Sequence, residues 1–136
     1  PKVFITDTGL ACYLLGIKDQ KTLIHHPQFG SLFETFVITD IWKRSLHSGI
    51  TPSLYYFRSR DDLEVDLLIE DGEGWHCMEI KSSMTIKPHH LASLARFIRT
   101  PSIASRVRSA SVISLYKTGP ILDATMNYQW SDIFSV

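Results

Sequence analysis

Two short stretches carry side chains of the types that act together on a phosphate ester. In Leu63-Glu64-Val65-Asp66-Leu67-Leu68-Ile69-Glu70 apolar and acidic residues alternate, and in Cys77-Met78-Glu79-Ile80-Lys81-Ser82 a glutamate and a lysine stand two apart. Residues i and i+2 of a strand share a face. Leu63, Val65, Leu67 and Ile69 therefore form one face, and Glu64, Asp66, Leu68 and Glu70 the other. The first is the core face, so Asp66 points away from the core. Glu79 and Lys81 share a face opposite Met78 and Ile80. If the two strands pair through the turn at 71–74, Asp66 comes close to Glu79 and Lys81. Carboxylates are hard oxygen ligands suited to Mg²⁺, and such an ion lowers the pKa of a bound water and stabilises charge on a phosphate. A lysine beside it orients the water or stabilises developing negative charge. The same pattern also suits a polar sheet face with a structural ion pair, and at this point both readings stand.

A third carboxylate comes from an earlier segment. Val37, Ile38 and Ile41 follow Glu34 at i+3, i+4 and i+7, so on a helix Glu34 lies on an apolar flank pressed toward the sheet. A carboxylate there is costly without a partner, and Lys81 or a metal ion would supply one. Glu34 then holds a water on the ion or helps form a second metal site.

The elements that must position these residues are legible from pattern. Lys2 to Thr6 is a short extended piece. Asp7 or Thr8 caps a helix through Leu15, ended by Gly16. Residues 18–30 read as a polar loop. Ser31 opens a longer helix through Leu46, with Glu34 at capping-box spacing, and Gly49 and Pro52 stop it. Strand-like runs follow at 54–60, 63–70 and 75–82, joined by short turns that make them antiparallel neighbours. A helix begins near Pro88, with Leu91, Leu94, Ala95 and Ile98 on one side, and Pro101 ends it. Residues 110–116 read as a buried strand. The tail adds a strand and a short helix capped at Ser131. The expectation is one α/β domain with a mixed central sheet flanked by helices. Residues 1–30 form a helical and extended segment packed on it, 31–120 the core, and 121–136 an extension.

Composition sets outer limits. The chain has 136 residues, 44% hydrophobic and 21% charged, and its formal net charge is zero. That suits one soluble domain with a real core and gives no global field to attract nucleic acid. Local polar and basic features remain: Arg58 and Arg60 alternate with Tyr56 on the first strand, Ser82 and Ser83 follow the lysine, and Lys87, Arg96, Arg99, Arg106 and Arg108 make the second half locally basic. Any of these can contact phosphates, and an ordinary solvated surface explains them equally well. Glu64 and Glu70 read as solvated. Cys12 and Cys77 read as reduced, buried thiols of a cytoplasmic protein. The pairs His25-His26 and His89-His90 splay apart and make no zinc site. No Ser-His-Asp spacing is apparent, and no apolar run is long enough to span a bilayer.

The order of helix, three strands, helix and strand, with Glu34, Asp66 and Glu79-Ile80-Lys81 in sequence, resembles the PD-(D/E)xK nuclease superfamily and its restriction-endonuclease-like αβββαβ core. Val65 stands where the strict pattern has proline. The blocks KVFITDTGLACYLLGI, GSLFETFVI, YYFRSRDDLEVDLLIE and MEIKSSMTIKPHHLASLARF are similar to the C-terminal domain of a group of bacterial and archaeal AAA-type ATPases. The resemblance implies Mg²⁺ or Mn²⁺ held by Asp66, Glu79, the Ile80 backbone carbonyl and Glu34, with Glu34, Asp66, Glu79 and Lys81 as the catalytic set and DNA as partner. It implies an ATPase domain upstream, for which no GxxxxGK[ST] motif occurs in these residues. A non-catalytic DNA- or protein-binding module of that ATPase is the alternative.

Overall fold

The structure, a computed structural model, describes residues 2–122 and 125–133. After an extended N-terminal segment come α1 (Thr8–Leu14), α2 (Gln20–His25) and the long α3 (Phe29–His47). Three strands follow: β1 (Ser53–Arg58), β2 (Glu64–Glu70) and β3 (Trp75–Lys81). A 3₁₀ turn (Pro88–Leu91) leads into α4 (Ala92–Ile98) and the short α5 (Pro101–Ala104). The chain then adds β4 (Val107–Ser114), β5 (Gly119–Leu122) and β6 (Thr125–Gln129). The six strands form one sheet in the order β1-β2-β3-β4-β6-β5. β1, β2 and β3 are antiparallel neighbours, β3–β4 and β4–β6 are parallel, and β5–β6 is antiparallel. The mixed α/β sheet with flanking helices is the expected architecture.

Both faces of the sheet are covered. Phe33, Val37, Ile38 and Ile41 of α3 pack on Leu67, Ile80 and Ile113. Leu94 and Phe97 of α4 pack on Leu63, Val65, Leu68 and Cys77 on the other side. This explains why Val65, Leu67 and Leu68 are all buried: a strand between two helical layers needs apolar residues on both faces.

The strict alternation expected along β2 is therefore corrected. Tyr55 pairs with Leu68 but Phe57 pairs with Val65, so β2 holds one more residue than β1 across this stretch. Such a bulge bends the strand and turns the following side chains over. Leu63 and Val65 consequently join Leu68 on the α4 face, while Leu67 and Ile69 pack on the α3 side.

Other expectations move at the level of elements. The loop at 18–30 contains α2, because the Asp19 side chain accepts from the Thr22 amide and caps it. α3 begins at Phe29, with no side-chain cap, so Ser31 and Glu34 form no capping box there. Its far end is as expected: Gly49, at φ +77°, lets the Ile50 amide reach the Ser45 carbonyl and the Gly49 amide reach Leu46. Pro101 ends α4 and also opens α5, since proline suits a first helical turn. Cys77 is buried but Cys12 is only partly so. The tail is not an appendage. β6 lies beside β4 inside the sheet, and the expected boundary at residue 120 falls within β5. Residues 130–133 form a turn rather than a helix, and 134–136 lie outside the described residues.

The β2–β3 turn depends on Gly74. Its φ is +150°, and a Cβ built there would stand 2.3 Å from the Arg106 carbonyl oxygen, the group that accepts from the Trp75 amide at 2.7 Å. Gly74→Ala is expected to destabilise the domain by roughly 1–3 kcal/mol, read as a lowered urea midpoint with an unchanged slope. An unchanged midpoint would mean that the turn is not held as described.

Candidate functional site

β2 and β3 pair only from Leu67–Met78 to Glu70–Trp75. Beyond Leu67 the two strands part, while β3 continues alongside β4 as far as Lys81–Ser114. At the parting, the Ile80 amide donates to Asp66 Oδ2 at 2.8 Å. A buried N–H needs an acceptor, and here a side-chain carboxylate takes the place of a strand carbonyl. Asp66 is thus buried, its side chain only 10% exposed, rather than pointing away from the core.

Lys81 and Glu79 complete the group from β3. Lys81 Nζ lies 3.5 Å from Asp66 Oδ2 and pairs with Glu79 Oε1. The Glu79 side chain is 8% exposed, and its Oε2 has no hydrogen-bond partner among the described residues. Burial, reinforced by the neighbouring Asp66 charge and partly offset by Lys81, pushes the Glu79 carboxyl up to about 7. For Lys81, burial works toward the neutral amine, but Asp66 and Glu79 overcome it and hold the ammonium above its usual range.

Glu34 meets a different partner from the one expected. It projects from α3 and receives Lys2 Nζ at 2.9 Å. The same ammonium is 2.7 Å from Glu64 Oε1 and 3.9 Å from Asp66 Oδ1, and lies 5.5 Å from the centre of the Tyr56 ring. The Lys2 contact lowers the Glu64 carboxyl, so Glu64 is an ion-paired member of the group and not a solvated strand residue. Glu34 still shares a polar cleft of about 280 Å³ with Asp66, Lys81, Ser31 and Ser82. Around this parting, four carboxylates (Glu34, Glu64, Asp66, Glu79) face two ammonium groups (Lys2, Lys81). Sequence reasoning missed Lys2 and Glu64 as members. Only their separation of about sixty residues in the chain hid them, since the extended KVFIT run places Lys2 with no partner visible in its own neighbourhood.

Residues 29–123 match the family described as a domain of unknown function, DUF4143. The chain belongs to the DUF4143 family. Over 113 residues, 82% of this chain, it is 35% identical to uncharacterized proteins of Mycobacterium bovis (Mb2031c) and Mycobacterium tuberculosis (Rv2008c). The match spans 21% of each of those longer relatives. No helix among the described residues is long and apolar enough to cross a membrane.

The remaining candidate residues of this DUF4143 domain divide. Ser82 lines the cleft. Ser83 does not, because its hydroxyl is engaged with Thr85, donating to the carbonyl at 2.6 Å and accepting from the amide at 3.1 Å. Arg58 stands 3.6 Å from Asp62 on the exposed turn, and Arg60 and Lys87 are exposed. Arg106 is paired with Glu70 at 2.6 Å and covers the Trp75 ring at 3.9 Å. Glu70, also hydrogen-bonded to Trp75 Nε1, is therefore not a purely solvated residue. A Ser-His-Asp chain exists that spacing did not reveal: Asp71 Oδ2 to His76 Nε2 at 2.7 Å and His76 Nδ1 to Ser109 Oγ at 2.8 Å.

A cation-binding reading can be tested against these groups. Among the described residues no group of three or more Asp, Glu, His or Cys side chains is placed to hold a metal ion. Mg²⁺, however, is commonly held by one or two carboxylates with waters and substrate phosphate. Asp66 and Glu79, with the orphaned Glu79 Oε2, fit that smaller donor set. The raised Glu79 carboxyl also has a consequence for stability. A carboxyl whose folded-state pKa is raised favours folding below its ordinary value of 4.5, and loses that contribution as pH rises to about 7. In EDTA, the stability of the wild type minus that of Glu79→Gln is expected to fall by up to roughly 3 kcal/mol between those limits. Urea titrations across this range check it, and a flat difference would place Glu79 in a more hydrated setting.

Proposed function

We propose that this domain is a Mg²⁺- or Mn²⁺-dependent phosphodiesterase of PD-(D/E)xK type, acting on DNA and working as the C-terminal partner of an AAA-type ATPase domain in a longer chain. The observation that carries the reading is the junction of Asp66, Glu79 and Lys81 where β2 and β3 part. Four carboxylates, two of them buried, face two ammonium groups around it, and Asp66 and Lys81 line the polar cleft. Asp66, Glu79 and the Ile80 carbonyl would hold the ion, which when bound supplies Lewis acidity toward a phosphodiester. Lys81 keeps a proton on Nζ and directs it to the negative charge that grows on the phosphate. Glu34, at the cleft wall, accepts from water entering the site. Ser82 offers a hydroxyl to a phosphate oxygen there, and Arg58, Arg60 and Lys87 add exposed positive charge for a DNA backbone. Fusion to an ATPase accords with a chain that spans about a fifth of its relatives' length.

A second reading is a non-catalytic module that binds DNA or protein for the ATPase. The engagement of Lys2 and Lys81 with the acids favours it, because those ion pairs could serve stability alone.

Calorimetry with Mg²⁺ and Mn²⁺, and nicking of supercoiled and branched DNA, separate the two. Asp66→Asn keeps an acceptor for the Ile80 amide, and it is expected to remove cation binding and cleavage together. Lys81→Ala is expected to retain cation binding while lowering cleavage by about 10²–10³-fold. Cation binding without cleavage of any DNA form by the chain joined to its ATPase would favour the second reading. Negligible heats from both wild type and Asp66→Asn would remove the catalytic one.

A further inference from the structure

The N-terminal segment delivers a cation to the acids at the parting of β2 and β3. Lys2 Nζ reaches Glu34, Glu64 and Asp66 within 4 Å and sits over Tyr56. Three oxygens on three carboxylates, two of them at hydrogen-bond distance, make an environment suited to its ammonium. The ammonium is held in its charged form despite burial by its contacts with Glu64 and Glu34. The tether behind it is short and anchored. Phe4 packs against the α3-side core, and Lys43 of α3 donates to the Thr6 carbonyl. Val3 and Ile5, between these anchors, are exposed. Among the described residues the segment is thus held at Thr6 by Lys43, at Phe4 by packing, and at Lys2 by ion pairs.

We propose that Lys2 is a tethered counter-ion that neutralises Glu34, Glu64 and Asp66 until a divalent cation displaces its ammonium, so that loading of the site and release of the 2–6 strap are coupled. The proposal rests on the reading of Asp66 and Glu79 as cation ligands. Its physical basis is competition for Asp66. This carboxylate is shared between Lys2 on Oδ1 and Lys81 and the Ile80 amide on Oδ2. A divalent ion held by Asp66 would bring two positive charges toward the ammonium that stands 3.9 Å from Asp66 Oδ1. Like charges at close range repel, and Lys2, whose backbone lies outside every helix and strand, can withdraw together with its segment, whereas the Lys81 backbone is held at the end of β3.

The coupling is tested on wild type, Lys2→Met and the charge-conserving Lys2→Arg by titration calorimetry with Mg²⁺ and Mn²⁺. The ring NMR signals of Phe4, which packs against the α3-side core, are followed in parallel with and without Mg²⁺. Lys2→Met is expected to bind the cation about five-fold more tightly or better, with Lys2→Arg close to wild type. Saturating Mg²⁺ is expected to shift the Phe4 signals toward those of an unpacked ring in wild type, while in Lys2→Met they lie there at the outset and do not respond. The Phe4 signals separate displacement from a simple change of local charge, which would tighten binding without moving the strap. Binding by wild type that is not tighter in Lys2→Met, or Phe4 signals in wild type that do not move at saturation, overturns the role of Lys2 and leaves the cation site standing. Binding seen in Lys2→Met alone shows that the ammonium is not displaced and overturns the coupling as well. No binding by any of the three proteins sinks the cation site and, with it, the coupling.

Discussion

The hydrogen bond from the Ile80 amide to Asp66 Oδ2 determines the shape of the site. An antiparallel pair normally satisfies its backbone groups across the ladder. The extra residue in β2 ends that ladder at Leu67–Met78, and a buried amide left without an acceptor costs about 1–3 kcal/mol. The carboxylate of Asp66 fills the gap from the side-chain side. One contact therefore does three things. It lets the strands separate, it anchors an acid in the interior, and it fixes β3 where its next side chains point. The bulge and the acid are meaningful only together. An apolar side chain at 66 would leave the amide unmet, and an unbulged strand would have no need of it.

Electrostatics then follows from the geometry. Asp66 is bounded by Lys81 on one side and Lys2 on the other, and each lysine has a second acid, Glu79 or Glu64. With Glu34 included, negative groups exceed positive ones by two when all are ionised. In a partly buried setting that excess is answered either by a proton or by an external cation. The Glu79 carboxyl is raised first by its burial and then by the Asp66 charge, with Lys81 offsetting part of the shift. Its Oε2 is the buried oxygen without a hydrogen-bond partner among the described residues.

Much of this was legible in the residues, and what was not has physical reasons. The mixed sheet, the three antiparallel strands, the glycine stop at Gly49 and the meeting of Asp66 with Lys81 follow from alternation, turn chemistry and helical periodicity. The bulge was hidden because Leu67-Leu68 satisfies either of two face assignments when both sheet faces are buried. Period-two patterning loses its power there. Lys2 was hidden because a tertiary ion pair leaves no mark on local spacing. Glu34 was singled out correctly as an acid on an apolar flank, but burial arguments say only that a partner is needed and cannot name which lysine supplies it. α2 was overlooked because six residues with no buried side chain carry no apolar stripe, and only the Asp19 cap marked its start.

The chain also contains a Ser-His-Asp arrangement, and comparing it with the acid cleft shows why residue types alone do not make a site. Asp71, His76 and Ser109 are linked by two good hydrogen bonds. Yet Asp71 is fully engaged: besides His76 it accepts from the Glu73 and Gly74 amides, and these contacts, His76 foremost, pull its carboxyl down to about 2. The group is exposed, and it pins the β2–β3 turn to β4. Its polar atoms are satisfied by one another, which is the signature of a structural network. At the parting of β2 and β3 the opposite holds. Carboxylates are buried, their charge is incompletely met, one oxygen has no partner, and a polar cleft adjoins them. Incomplete satisfaction in a buried, pre-shaped setting is what a ligand can complete. By that criterion the proposed chemistry belongs to Asp66, Glu79 and Lys81, and the histidine relay belongs to the fold.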